Sequence, residues 1–306
     1  MTRPPLVGLP GGLVDRPLTL DDAAAVHAVI AAEEVAALGY SELDVADIVG
    51  DWQRPSHDVP SHTVGVLDGD LLVAYAELAD ADRVDTAVLP AYQGRGIGSA
   101  LADWLLARAR AAGSTVIGMQ VPEGCPADRF MADRGYRLRW TAWDLALPVS
   151  ASIESRPLPD GYAVRDATAD DERAAWTVLE DAFLEWSDRE RTPFEDFLAR
   201  VRERPGAAPW NLRVLADPDG DVVGATHVFL TGEDGEDAHV SRVAVRADRR
   251  GLGLGQALLV DAFALGRAHG ARRSTLSTDS RTGALSLYTR VGMEVTSTWV
   301  NRATDV

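Results

Sequence analysis

Two glycine-rich hexads carry the clearest chemistry in this 306-residue chain, Gln93-Gly94-Arg95-Gly96-Ile97-Gly98 and Arg250-Gly251-Leu252-Gly253-Leu254-Gly255. Each follows an apolar stretch of strand character and opens a stripe of apolar residues at helical spacing. A loop in that setting turns several successive backbone N–H groups toward one point, and the helix start adds partial positive charge, so the chemistry is anion binding. Glycine belongs there because a Cβ would hold a phosphate away from the backbone. Arg95, Arg246, Arg249 and Arg250 stand near enough in sequence to add charge. One such motif alone can be a turn that merely packs a helix on a sheet; two copies in register favour a ligand site. A dinucleotide fingerprint fails on spacing, because the third glycine position falls on Leu101 in one copy and Leu258 in the other. The chain contains no lysine, which removes the phosphate loop of nucleoside triphosphatases and any Schiff-base mechanism.

The elements that position these loops form a repeat. At a constant offset of 157 residues, Gly94 falls on Gly251, Leu101 on Leu258, Gly113 on Gly270 and Gly135 on Gly292, with Ala87-Val88 falling on Ala244-Val245. Glycines that hold register over such a stretch mark two homologous domains, residues 1–150 and 151–306, joined where Pro148, Pro157 and Pro159 interrupt regular structure. In the first half, Thr19-Leu20-Asp21-Asp22 starts an alanine-rich helix that Gly39 stops, and a short helix is expected near 43–52. Strands are predicted at 63–67 and 71–78 about the turn Asp68-Gly69-Asp70, and at 84–88 before the first loop. A helix to Gly113, a strand at 115–121, a helix before Gly135 and a β region at 136–147 follow. The second half repeats this order, with strands at 162–165, 212–216, 222–230 and 240–245 and a helix striped by Leu254, Leu258 and Ala262.

Composition narrows the class. A net charge of −17 argues against nucleic-acid or anionic-membrane binding, since both need a basic footprint. Cys125 is the only cysteine, which excludes an intrachain disulfide and a cysteine-based metal site. No apolar run reaches the roughly 20 residues of a membrane span, and the N-terminus lacks a signal-peptide pattern, so the cytoplasm is the expected compartment.

The stretch from Val88 through Gln93-Gly94-Arg95-Gly96-Ile97-Gly98, and Val245 to Gly255, resemble the acyl-CoA pyrophosphate loop of the GNAT superfamily, (Gln/Arg)-x-x-Gly-x-(Gly/Ala). Leu287-Tyr288, four residues before Gly292, resembles the family's second signature. The likeness covers both halves, and the tandem arrangement also resembles mycothiol synthase and its actinobacterial relatives. It implies an α/β (α+β) fold with a central twisted mixed sheet flanked by helices in each half, and acetyl-CoA as co-substrate with no metal. The acceptor would be a primary amine of a small molecule, attacking the thioester directly, in a monomer or homodimer.

The resemblance also assigns residues. Backbone of Val243, Ala244 and Val245 would pair with the pantetheine arm, and Arg250, Gly251, Leu252, Gly253, Leu254, Gly255 and Gln256 would hold the pyrophosphate. The matching N-terminal set is Ala87, Val88, Gln93, Gly94, Arg95, Gly96, Ile97, Gly98 and Ser99. Tyr288 matches the tyrosine general acid, and His239 stands where many relatives carry a catalytic glutamate, with Glu233 and Glu236 as nearby substitutes. Arg281 replaces the asparagine that many relatives place seven residues before the tyrosine and is expected to contact CoA in its stead. In the N-terminal half the 157-residue offset places Met131 opposite Tyr288 and Asp82 opposite His239, and a thioether cannot protonate a thiolate. The expectation is therefore a catalytic C-terminal domain and an N-terminal domain that binds CoA with weak or no activity. Transfer to a cysteinyl aminoglycoside-type amine, as in mycothiol synthase, and a non-catalytic acyl-CoA-binding regulator remain alternatives. Trp176, Phe183, Trp186, Phe194, Phe197 and Trp210 read as helix core or as the frame of an acceptor pocket, and Glu180, Asp181, Glu185 and Asp188 as a solvated face or a cation-facing wall.

Overall fold

A computed structural model describes residues 4–41, 43–232 and 235–306. The chain forms two compact units: the first runs to Thr141 and includes Trp299–Val306, the second is Ala142–Thr298.

In the first unit, β1 (Leu13–Arg16), α1 (Ala23–Leu38), α2 (Val45–Trp52) and α3 (Val59–His62) precede β2 (Thr63–Asp68), β3 (Leu71–Leu78) and β4 (Val84–Val88). The start of α1 is fixed by Asp22, whose carboxylate accepts from the Thr19 N–H at 2.9 Å and from both ends of the Arg16 guanidinium at 2.8 and 2.6 Å. Its end is the left-handed Gly39, whose N–H returns to the Val35 carbonyl. Strands β1 to β4 pair antiparallel in sequence order. Then come α4 (Ile97–Ala112), β5 (Val116–Pro122), α5 (Pro126–Asp133) and β6 (Arg137–Leu147). Ile97, Leu101, Trp104 and Leu105 of α4 bury one face of this sheet against Val64, Val66 and Val73. Val26 and Val29 of α1 and Ile48 and Trp52 of α2 bury the other against Tyr75 and Ala87.

The second unit repeats the order with β7 (Ala163–Asp166), α6 (Glu172–Leu184), α7 (Phe194–Val201), β8 (Leu212–Ala216), β9 (Val222–Thr231), β10 (Asp237–Val245), α8 (Leu254–Ala268), β11 (Arg273–Asp279), α9 (Leu285–Arg290) and β12 (Glu294–Asp305). The cap recurs in detail: Asp171 accepts from the Thr168 N–H at 2.8 Å and from Arg165 at 2.5 and 2.8 Å. Leu259, Ala262 and Phe263 of α8 cover one face of β9–β11, and Ala175, Val178 and Leu179 of α6 with Phe197 of α7 cover the other.

The last strand of each repeat reaches into the other unit. Residues 142–147 of β6 pair antiparallel with 274–279 of β11, within the second unit. Residues 299–305 of β12 pair antiparallel with 116–122 of β5, within the first. Strands β6 and β12, of 11 and 12 residues, lie in one sheet in the order β5-β12-β6-β11. Gly118 admits β12 closely: a Cβ there would stand 2.9 Å from Asn301 Oδ1 and 3.0 Å from Ala303 Cβ. Asp144, buried where β6 enters the second unit, accepts from Ser277 at 2.6 Å and Ser297 at 2.5 Å. No helix among the described residues is long and apolar enough to cross a membrane.

Candidate functional site

In the second unit β10 and β11 run parallel for three residue pairs only, ending at His239–Thr275, after which they part. From Val240 to Val245 the edge of β10 is therefore not covered by β11. Alternate amides of a strand point to opposite edges. The Arg246 N–H bonds the Val223 carbonyl at 2.8 Å on the β9 side, so the Val245 N–H faces the gap. Val243 and Val245 pack with Leu254 and Leu258 of α8, while Ala244 packs on the α6 side.

The loop that follows has the shape its sequence predicts. Gly251 and Gly253 take φ of 82° and 79°, conformations that favour glycine, and a Cβ on either would meet nothing within 4 Å. Gly253 is the N-cap of α8, and the first-turn amides of Leu254, Gly255 and Gln256 have no acceptor within the helix. The loop arginines are each occupied. Arg250 makes a two-pronged pair with Glu185, both bonds at 2.7 Å, and bonds the Val245 carbonyl; Arg246 pairs with Asp248, and Arg249 with Asp248 and Asp217. An anion at this loop would meet backbone amides and the helix terminus, a cradle whose geometry fits a pyrophosphate without a lysine.

Tyr288 of α9 is buried among Leu276, Leu259 and Phe263, on the α8 face of the sheet. Burial pushes its hydroxyl above the ordinary tyrosine range and the nearby Asp279 adds to this, while the neighbouring Thr278 side chain works the other way. His239 lies on the opposite face, since its neighbours Ala238 and Val240 point into the α8 cluster. Its Nδ1 is 3.1 Å from Thr275 Oγ1 and its ring sits 5.6 Å from that of Phe229, its cross-strand partner. Thus Thr275 of β11 holds His239, while Tyr288 approaches the same strand from the opposite face, packed on Leu276. Arg281 is turned to Asp279 at 2.7 Å and lies 4.9 Å over the Trp186 ring. Glu233 lies outside the described residues. Glu236 receives the Arg272 N–H on its backbone carbonyl at 2.6 Å.

Sequence reasoning missed a polar network on the His239 face. A β-bulge interrupts β10 between Val240 and Arg242, and the extra residue, Ser241, bonds His227 Nδ1 at 2.7 Å. Burial, then Arg242, lowers the His227 pKa to about 3, so its imidazole is neutral. Arg242 reaches fully buried Glu180 at 2.9 Å, and Arg189 reaches the same carboxylate at 2.7 Å. These pairs and the Thr192 N–H outweigh desolvation and hold Glu180 near 2. Of the carboxylates read as a cation-facing wall, Glu180, Asp181 and Glu185 each pair with an arginine. Trp176, Phe194 and Phe197 pack as helix core. The bulge also shifts register, which no spacing rule announces. The β4–β5 contact is Arg83–Gly118 where the second unit has His239–Thr275, so Arg83, rather than Asp82, stands opposite His239.

The first unit keeps the loop. Gly94 and Gly96 take φ of 73° and 92°, Gly96 caps α4 at Ile97, and Gly98 and Ser99 lie half-buried in its first turn. Gln93 bonds the Val88 carbonyl, and Arg95 bonds the Ala91 carbonyl and lies 4.7 Å over the Tyr92 ring. Beyond the Arg83–Gly118 contact β4 and β5 part, opening a cavity of about 340 Å³ bordered by Ala87 and Gln93. Met131 is buried against Val121, Tyr136 and Val300.

This twofold arrangement, a strand gap leading to a left-handed glycine loop at a helix start, has its counterpart among known proteins. A profile of the acetyltransferase (GNAT) family matches residues 28–136 and 166–293. Mycothiol acetyltransferase of Salinispora arenicola is 32% identical over 265 residues, 82% of each chain, and that of Thermobispora bispora 30% over 236, 74% of this chain and 78% of the other. A GCN5-related N-acetyltransferase from Sphaerobacter thermophilus superposes with a TM-score of 0.73 at 26% identity, covering 97% of both chains. A tandem GNAT protein of the clavulanic acid biosynthesis pathway gives 0.73 at 20%, covering 96% of this chain and 98% of the other, a likeness of fold. The chain belongs to the acetyltransferase (GNAT) family, in its tandem form, and is an acyltransferase.

Proposed function

We propose that the chain transfers the acetyl group of acetyl-CoA to the primary amine of a small molecule, and that the second unit performs the chemistry. The observation that carries this reading is the parting of β10 from β11 beside the Gly251–Gly253 loop, with Tyr288 and His239 reaching the bordering strand from its two faces. The uncovered edge of β10 offers the Val245 N–H to the pantetheine arm, and the amides at the head of α8 receive the pyrophosphate. An alkyl ammonium with pKa near ~10 must lose a proton before it attacks, and His239 accepts it directly or through water. As the amine nitrogen bonds to the acetyl carbon and the carbon–sulfur bond breaks, Tyr288 gives its proton to the departing thiolate. Its raised pKa keeps that proton in place at neutral pH. In the first unit Met131 has no proton to give.

Likeness to the mycothiol acetyltransferases supports a second, narrower reading, in which the acceptor is a cysteinyl aminoglycoside-type amine. Both are tested by following release of free CoA thiol from acetyl-CoA over a panel of simple alkyl amines and that acceptor. Turnover confined to the cysteinyl amine selects the narrower reading. Absence of turnover with every acceptor, in protein that binds acetyl-CoA, leaves a non-catalytic acyl-CoA-binding protein.

A further inference from the structure

The strand gap of the first unit carries an unusual set of groups for a thioester slot. Its cavity of about 340 Å³, at the small end of the range for small-molecule sites, is bordered by the carboxylates of Glu33, Glu77 and Asp85 and by the rings of Trp52, Tyr75 and Trp299. Glu77 and Asp85 face each other directly across β3 and β4, an arrangement that destabilises a sheet unless something positive compensates. Arg83 also borders the cavity, but its guanidinium is held by Asp85 at 3.1 Å and Asp51 at 3.0 Å. Glu77 accepts from Trp52 Nε1 at 2.9 Å and lies 3.2 Å from His57 Nε2. Burial drives the Glu33 carboxyl up to about 7, and burial with the neighbouring Glu77 and Asp51 raises Asp85. Tyr75 is 4% exposed, burial and then Asp85 and Glu77 raise its hydroxyl, and no hydrogen bond to that hydroxyl occurs among the described residues.

Glu33 also closes the place a thioester arm needs. The Leu89 N–H bonds the Val73 carbonyl on the β3 side, so the Val88 N–H faces the gap, and there it donates to Glu33 Oε2 at 3.1 Å. The shared helix caps, Asp22 and Asp171, set an offset of 149 residues that places Ala182 at the Glu33 position, where no carboxylate blocks the Val245 N–H. By matched register, Glu77 and Asp85 correspond to His227 and Arg242.

We infer that this cavity is a binding site for a small organic cation, an amine with an apolar or aromatic body, in place of an acyl thioester. The ammonium is held by Glu33, Glu77 and Asp85 and by the free lone pairs of the Tyr75 hydroxyl, while Trp52 and Trp299 supply faces for its body and for cation–π attraction. The site does not depend on the chemistry proposed for the second unit.

Calorimetric titration of the full chain at pH 7.5 tests it, with tyramine and cadaverine as cationic probes, 4-ethylphenol as the neutral analogue and 4-hydroxyphenylacetate as the anionic one. Saturable binding of a cationic probe is expected, with the neutral and anionic analogues weaker by about tenfold or more. Glu77→Gln and Asp85→Asn should each weaken the cation about tenfold, and Tyr75→Phe, which keeps the packed ring, a few-fold. Gly253→Glu should leave it unchanged. Absence of saturable heat with both cations overturns the inference, as does equal binding of 4-ethylphenol or indifference to all three first-unit variants. Cation binding lost in Gly253→Glu would place the amine in the second unit and overturn it too. A chain that binds the cation in the first unit but transfers no acetyl group refutes the proposed function alone.

Discussion

The gap-bordering face of β3 and β4 carries Glu77 opposite Asp85, and α1 brings Glu33 to the Val88 amide. At the same positions the second unit has His227 opposite Arg242, with Ala182 on α6. One fold therefore presents an acidic gap in one unit, with Glu33 on the Val88 amide, and in the other a gap whose matching positions carry His227, Arg242 and Ala182. The loops differ far less, since both use left-handed glycines at a helix start. Duplication preserved the glycine-loop conformation, which depends on the backbone. The side chains around it diverged, which teaches that a loop motif reports the shape of a site and not its occupant.

Substitutions that act on one unit and spare the other break or sharpen this contrast. The largest effect is expected from Gly253→Glu, which places a carboxylate in the phosphate cradle at a φ of 79°: acetyl transfer should fall about 10³-fold, against less than about twofold for Gly96→Glu. Equal losses in steady-state rate would mean that both units turn over. Next, Tyr288→Phe should lower kcat about 10²-fold with KM for acetyl-CoA little changed, whereas Met131→Leu leaves both alone. His239→Ala should cost about 10-fold to 10²-fold and alter the pH–rate profile; an unaltered profile removes His239 as the base. Ala182→Glu transplants the closing carboxylate and should raise KM for acetyl-CoA by about tenfold, measured with the acceptor saturating.

The smallest effect concerns stability. The Glu33 pKa is raised to about 7 in the folded chain from an ordinary 4.5, so its contribution is fully present below 4.5 and is lost as pH rises through 7. Glu33→Gln removes that loss. Denaturant unfolding should show the variant gaining on the native chain by roughly 1–3 kcal/mol between pH 5 and pH 8. Glu180 has the opposite sign: held near 2, it contributes above 4.5 and its contribution is lost as pH falls toward 2, so Glu33→Gln leaves that acid limb in place.

Much of this is legible in the sequence. Helix α1 stops at Gly39 as its sequence announces, the turns at Gly69 and Gly220 take positive φ, and both loops open helices. These features are set within a few residues by backbone sterics and caps. The Ser241 bulge was not legible, because one extra residue in a strand leaves hydrophobic alternation intact on both sides of it. Nor was the neutralisation of Glu180, whose partners Arg189 and Arg242 lie 9 and 62 residues away.

The sequence by itself determined the duplication, the order of elements and the two glycine cradles, because turn chemistry and periodicity act locally. Only the tertiary structure decided that β6 and β12 exchange units, since a β-strand carries no local mark of which edge it will join. It alone decided the charge of each gap, because Glu33, Glu77 and Asp85 become one site only when α1 packs on β3 and β4 and burial places their carboxylates beside one another.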